Sequence, residues 1–539
     1  MNRRELLQMA AIGGAGAILG PARAQASEDP ASTTVPHAGE SFAWEEASIG
    51  QLQEAMQSGK ATSVSIVKQY LDRIAAMDKS GPAVNAIIEL NPDASAIAQA
   101  LDEERKSKEP RGPLHGVPVL IKDNIDTHDR MMTTAGSLAL LGSIAPRDSF
   151  VAQRLREAGA VILGKANLSE WANFRANSSS SGWSGRGGQT KNPYALDRNP
   201  SGSSSGSAAA VSSSFCAVAV GTETNGSIIS PSTVCGIVGI KPTVGLISRA
   251  GIIPISRTQD TAGPMARSVR DAAILLGALA GVDPRDSVTE ESRGKSHADY
   301  TQFLDADGLR GARLGIARRT IRGNAKARAV IEAAIETLKK MGAVLIDPAD
   351  IPAQNRLGSS EGDLLQYEFK AGLNEYLAGL GPNAPVHSLA EIIEFNTKNA
   401  DRELPFFGQE TFLRSQERGP LTDKAYLDAL ANCRRFSRAE GIDALMDEQK
   451  LDAIVAPSGG PAGVTDLLYG NRDVGGSSSP AAIAGYPSIT VPAGNMRGLP
   501  LGISFFGRAY SEPVLLKIAY AFEQASKARI TPKFLATLG

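Results

Sequence analysis

The sequence predicts an α/β protein built around a central sheet, on two observations. Apolar runs of strand length alternate with stretches of helical periodicity along most of the chain. Glycine is frequent, at 55 residues, as tight strand-to-helix turns require. The 539 residues suffice for one large α/β domain or for two or three average ones.

Taken in order, residues 48–76 place Leu52, Met56, Val67, Tyr70, Leu71 and Ile74 at helical spacing and read as two helices. Residues 117–121, Val-Pro-Val-Leu-Ile, read as a buried strand. Residues 150–158 are helical, 161–164 are a strand after Gly159, and 215–220 are another apolar strand bounded by turns. A helix is expected at 269–279, a strand at 314–317, an amphipathic helix at 325–341 and a strand at 344–346. Residues 355–440 are mostly helical and more charged, and read as a helical layer or lid rather than a separate domain. Strands at 451–456, 488–491 and 501–506 and a helix at 514–525 close the series. No internal repeat is visible.

Composition narrows the function. Net charge is −1 and no lysine/arginine block stands out, which argues against a nucleic-acid partner. Aromatic residues make up 5%, too few for a stacking platform. Three cysteines, Cys216, Cys235 and Cys433, give no disulfide framework and no zinc spacing; Cys216 and Cys235 sit in apolar runs and read as packing residues. No metal cluster or phosphate loop is evident, so no cofactor is expected.

Residues 1–26 read as an export signal of the twin-arginine type. Arg3-Arg4 precedes a weakly apolar run, and Ala24-Gln25-Ala26 supplies a small-x-small cleavage site. The run is too short and glycine-rich for a permanent membrane anchor. A periplasmic or secreted location is therefore expected, with residues 27–43 as a loose leader.

The most informative segment is 199–231, NPSGSSSGSAAAVSSSFCAVAVGTETNGSIISP. Hydroxyls at Ser203, Ser204, Ser205, Ser207 and Ser227 lie among glycines, as in a flexible linker. The apolar runs AAAV and FCAVAV demand burial, which a linker does not. A buried, hydroxyl-rich segment reads as a catalytic site. None of the five histidines, His37, His115, His128, His297 and His387, falls inside it, although a triad needs only spatial adjacency. Lys122 is the alternative base. It follows four apolar residues at the end of a buried strand, where desolvation would lower its pKa and let it accept a serine proton. Lys241, in Gly-Ile-Lys-Pro-Thr, is a rival base, with Pro242 pointing to a turn role.

These pieces resemble the amidase signature family. The resemblance rests on Gly202-Ser203-Ser204-Ser205-Gly206-Ser207 and on Glu223-Thr224-Asn225-Gly226-Ser227-Ile228-Ile229-Ser230-Pro231. It extends to GPLHGVPVLIKDNI and GKANLSEWA upstream, to GIVGIKPTVGLISRAG and QDTAGPMARSV downstream, and more loosely to AGYPSITVPAG and GLPLGISFFG. It implies a single large domain, residues 44–539, with a central mixed β-sheet covered by helices and a signature core at about 110–270. It further implies a Ser-Ser-Lys triad: Ser227 as nucleophile, Ser203 as bridging serine after a cis peptide bond from Gly202, and Lys122 as base. The backbone amides of Thr224, Asn225, Gly226 and Ser227 correspond to an oxyanion hole, whose donors are each worth roughly 3 kcal/mol.

Asp123 and Asn124 are candidates to orient Lys122. Ser204, Ser205 and Ser207 are expected to bond backbone at a helix start. Lys165 and Asn167 read as scaffold, and Phe174, Trp183, Tyr194 and Tyr469 as candidate pocket-lining residues. Two departures from the family pattern stand out: Asn225 replaces the usual first glycine of Gly-Gly-Ser, and Ile229 the usual arginine after Ser-Ile. They point to the peptide amidase branch, with Asn225 as a polar contact for substrate. The expected activity is hydrolysis of a small-molecule or peptide carboxamide, a peptide C-terminal amide in particular. The glutaminase component of a tRNA-dependent amidotransferase is the alternative within the family.

Overall fold

Among the described residues thirteen strands form between Ile87 and Phe506, and eleven of them share one sheet. The structure, a computed structural model, describes residues 42–471 and 475–538. The expected export signal and nearly all of the leader lie outside the described residues. In chain order the strands are β1 (Ile87–Leu90), β2 (Pro118–Lys122), β3 (Val161–Ala166), β4 (Trp183–Ser184), β5 (Gly188–Gln189), β6 (Val218–Glu223), β7 (Val238–Lys241), β8 (Thr261–Ala266), β9 (Arg313–Ile316), β10 (Val344–Ile346), β11 (Ala453–Pro457), β12 (Ser488–Met496) and β13 (Leu499–Phe506). β4 and β5 form a separate ribbon; the large sheet runs β1-β3-β2-β6-β8-β7-β12-β13-β11-β9-β10.

The sheet is mixed. β3, β2 and β6 are parallel to one another, and β9 is parallel to β10 and β11. The remaining pairings are antiparallel. All five residues of β2 and all six of β3 and β6 are buried, which follows from helices covering both faces. This is the single α/β domain with a large mixed sheet that the family resemblance implies.

The helices at Ile49–Gln57 and Ser63–Met77 each begin with a capping box, built on Ser48 with Gln51 and on Thr62 with Ser65. Helix Ser205–Ser212 is buried on all sides. Its serines, glycine and alanines suit that place: a Cβ on Gly206 would lie 2.2 Å from the Ala86 carbonyl oxygen and 2.4 Å from that of Asn167. Residues 355–440 form a helical layer as expected, with helices Leu357–Gly379, Leu389–Lys398, Glu410–Gln416 and Lys424–Arg434. Phe369, Leu373, Leu377 and Phe412 pack with Trp171, Ile253 and Ile255, so the layer shares the domain's core.

Three strands of the large sheet, β1, β7 and β8, and helix Ala94–Ser107 are absent from the sequence reading. In β1 only Ile87 is buried, and β8 reads Thr-Ala-Gly-Pro-Met-Ala, with two residues that usually mark turns. The strand expected at 215–220 begins instead at Val218 and runs on through Gly-Thr-Glu to Glu223. That polar extension leads into the site.

Candidate active site

β2 delivers Lys122 to the carboxyl ends of the parallel strands β3, β2 and β6, the edge where open α/β sheets place their sites. The side chain has no solvent exposure. Its Nζ donates to Ser203 Oγ at 2.8 Å, to Thr222 Oγ1 at 2.8 Å and to the Thr222 carbonyl at 3.3 Å. Burial pushes its pKa down from 10.5 to about 7, against smaller opposing pulls from Asp260 and Glu223. A neutral amine is therefore well populated at physiological pH.

Ser203 lies between the cis Gly202–Ser203 bond and helix Ser205–Ser212. It is also fully buried, and its carbonyl accepts from the Ser169 amide at 3.1 Å. The cis bond is the one the family resemblance implies. Ser204 ties this segment to the next. Its amide donates to the Ser227 carbonyl at 3.1 Å, and its hydroxyl donates to the Thr222 carbonyl at 3.0 Å. Ser205 and Ser207 donate to the carbonyls of Ser201 and Val220. These serines bond backbone as expected, but they join neighbouring segments rather than cap the helix.

Ser227 occupies the turn after β6 and keeps 9% exposure, whereas Lys122 and Ser203 have none. Gly226 has φ +83°, a conformation glycine adopts without strain. The Glu223 carboxylate closes the turn through Oε2, which accepts from the amides of Ile228 at 2.7 Å and Ile229 at 3.0 Å. Among the described residues, no acceptor takes the amides of Thr224, Asn225, Gly226 or Ser227. Four successive donors thus remain open around Ser227.

Asn124 Nδ2 donates to Thr222 Oγ1 at 3.0 Å and so steadies the partner of Lys122. Asp123 turns away; it accepts from Thr134 Oγ1 and the Gly136 amide and lies near Arg186. Lys165 is buried on β3, where it donates to the Ile125 carbonyl at 2.6 Å and Thr133 Oγ1 at 2.8 Å. Asn167 bonds the Gly188 carbonyl and Thr190. Lys241 is buried, with its pKa lowered by burial to about 8, but it donates to the Pro242 carbonyl and touches neither serine. Thr222 is the residue the sequence reading lacks. Its signal is a threonine in an apolar strand, next to an acidic residue, where a solvent-free hydroxyl needs a partner.

A cleft of about 530 Å³ reaches Asn124 and Thr222–Thr224 between Arg249–Asp260 and helix Leu357–Gly379. None of the four candidate aromatic residues lines it. Trp183 packs edge-on against Phe406 and Phe407, Tyr194 donates to the Ile530 carbonyl, and Phe174 packs on Phe369. Tyr469 is 84% exposed. Asn225 is also a correction. Its amide is held by Glu361, Ser478 and Ser479, which leaves no polar group of that side chain for substrate.

Residues 65–516 match the family model described as Amidase. The chain belongs to the amidase signature family. It is 46% identical over 504 residues to a probable amidase of Arabidopsis thaliana, spanning 92% of this chain and 93% of that one. The native peptide amidase of Stenotrophomonas maltophilia superposes with a TM-score of 0.88 at 49% identity, covering 92% of this chain and 100% of that one. The same fold similarity, TM-score 0.88 over 91% of this chain and 99% of that one, holds for peptide amidase in complex with the competitive inhibitor chymostatin. A glutamyl-tRNA(Gln) amidotransferase component from Microcystis aeruginosa is more distant, at 34% identity over 89% of this chain and 97% of that one. The protein is a hydrolase acting on amides.

Proposed function

We propose that this amidase removes the C-terminal carboxamide of peptides through an acyl-enzyme on Ser227. The observation that carries the mechanism is the 2.8 Å contact between the buried Lys122 Nζ and Ser203 Oγ, made beside the open amides around Ser227. Neutral Lys122 takes the Ser203 proton as Ser203 takes that of Ser227, and Ser227 Oγ attacks the carboxamide carbon. The oxyanion that forms is met by the amides of Thr224, Asn225, Gly226 and Ser227. On collapse the C–N bond breaks, and the proton returns through Ser203 to the departing nitrogen, which leaves as ammonia. Water then attacks the ester, gives up its proton along the same path, and releases the peptide acid and Ser227.

The peptide substrate is favoured by the greater likeness to peptide amidase, at 49% identity, than to the amidotransferase component, at 34%. Specificity constants for N-acetyl-leucyl-leucinamide, propionamide and glutamine test it. The dipeptide amide should lead by at least about tenfold; equal or faster turnover of propionamide, or of glutamine, would replace this reading with a general amidase or a glutaminase.

We further propose export by the twin-arginine route, with residues 1–26 as the signal, 27–43 as the leader and 44–539 as the amidase domain with its signature core at about 110–270. Replacing Arg3 and Arg4 with lysine should leave unprocessed protein in the cytoplasm. Unchanged processing would overturn the route.

A further inference from the structure

Two residues before Ser227, Asn225 holds its neighbours rather than facing open space. Its Nδ2 donates to Glu361 Oε1 at 2.7 Å and to Ser479 Oγ at 3.1 Å, and its Oδ1 accepts from Ser478 Oγ at 2.8 Å. Gln259 Nε2 gives the same Glu361 oxygen a second hydrogen bond at 3.1 Å. Glu361 Oε1 is thus doubly engaged, while Oε2 takes no hydrogen bond from any described residue. Among the described residues no cation acts on this carboxylate either: burial raises its pKa, and Gln259 and Asn225 are the groups that lower it.

A carboxylate that merely docks the helical layer looks different in this molecule. Glu368 lies two turns further along the same helix, Leu357–Gly379. Its Oε2 accepts from Ser256 Oγ, from the Thr258 amide at 3.2 Å and from Thr258 Oγ1 at 2.9 Å, and its Oε1 accepts from Tyr426 at 2.9 Å. Both oxygens are spent. Glu361 spends one and leaves the other without a hydrogen bond from any described residue, on a half-buried side chain whose direction two donors fix. Lys122 and Ser203 are closed off, while Asn225, Ser478, Ser479 and Glu361 are half-buried, and Gly226 lies against Ser478.

We propose that Glu361 is a specificity-determining residue: its open oxygen accepts the N–H on the α-nitrogen of the residue whose carboxamide is cleaved. This rests on the peptide-amide reading above. The α-nitrogen stands two bonds from the acyl carbon that Ser227 attacks, and a simple aliphatic amide has no donor there. A half-buried acceptor left unpaired discriminates strongly against a substrate that cannot fill it. Asn225 contributes by aiming Glu361, which gives the residue that departs from the family's usual glycine a positioning role.

The test compares N-acetyl-leucinamide with N-acetyl-N-methyl-leucinamide, which lacks that N–H, at pH 8 on wild type and on Glu361→Gln. Glutamine can keep the oxygen that Asn225 and Gln259 hold and presents a donor in place of the open acceptor. Wild type should prefer the N–H substrate by at least tenfold. Glu361→Gln should shrink that preference to threefold or less, by losing turnover of the N–H substrate while the N-methyl substrate is processed as before. An unchanged preference, or equal losses on both substrates, would overturn the proposal and leave Glu361 as a helix anchor. Failure of wild type to hydrolyse either compound would instead remove the peptide-amide reading, and this inference with it.

Discussion

Lys122 and Lys165 make a controlled comparison. They sit at the carboxyl ends of adjacent parallel strands, Lys122 the last residue of β2 and Lys165 the last but one of β3, with Lys122 opposite Ala166 and Ile121 opposite Lys165, and neither has any solvent exposure. Burial lowers the pKa of both. Their partners differ. Lys165 donates to a carbonyl and a threonine hydroxyl in the field of Asp123, Asp126, Asp129 and Glu89, all of which favour its charged form. Lys122 donates to two hydroxyls and a carbonyl, with only Asp260 and Glu223 opposing desolvation. One of its hydroxyls, Ser203, adjoins Ser204, whose amide donates to the Ser227 carbonyl at 3.1 Å. Burial makes a lysine able to lose its proton; the partner decides whether that proton does chemistry.

Lys122→Met should therefore have the largest effect, lowering kcat by about a thousandfold or more while leaving circular dichroism and the melting transition near wild type. Retention of more than about a tenth of the activity would assign the base elsewhere. Lys165→Met should act on stability. Loss of a buried cation among carboxylates costs roughly 3 kcal/mol, read as a lower urea midpoint. The folded fraction should keep the wild-type pH profile; a shifted profile would break the contrast between the two lysines.

The pH dependence sharpens it further. Only neutral Lys122 accepts a proton, so activity should rise from acid and reach half its plateau near pH 7. Thr222→Val removes one acceptor from the ammonium form, which destabilises that form and moves the acid limb to lower pH. Positioning is lost as well, so kcat should fall about tenfold. A limb that moves upward would mean that Thr222 favours the neutral amine instead.

Much of this is legible in the sequence, for particular reasons. Val-Pro-Val-Leu-Ile before Lys122 announces a buried strand, and a lysine at its end announces desolvation; the structure has both. Burial of the serine- and alanine-rich segment is also readable, because AAAV cannot stay in water, and it forms a helix buried on all sides. Thr222 is hidden because Gly-Thr-Glu reads as a turn when viewed alone, although the strand continues through it, paired there with β8. β8 is hidden for the same reason. Glu361 carries no local signal: its meaning comes from Asn225 and Gln259, residues 136 and 102 positions away. Asn225 stands out as a departure and invites a substrate contact, but a sequence shows a polar side chain and not where its hydrogen bonds are spent.

In the proposed mechanism Ser227 carries the acyl group. Wild type should be mixed with a slowly deacylated amide or aryl ester, quenched in acid within the burst, digested and read by tandem mass spectrometry. One acyl group per chain, on the peptide containing Ser227 and absent in Ser227→Ala, is the expected result. An adduct on Ser203, or hydrolysis that proceeds in Ser227→Ala, would contradict it.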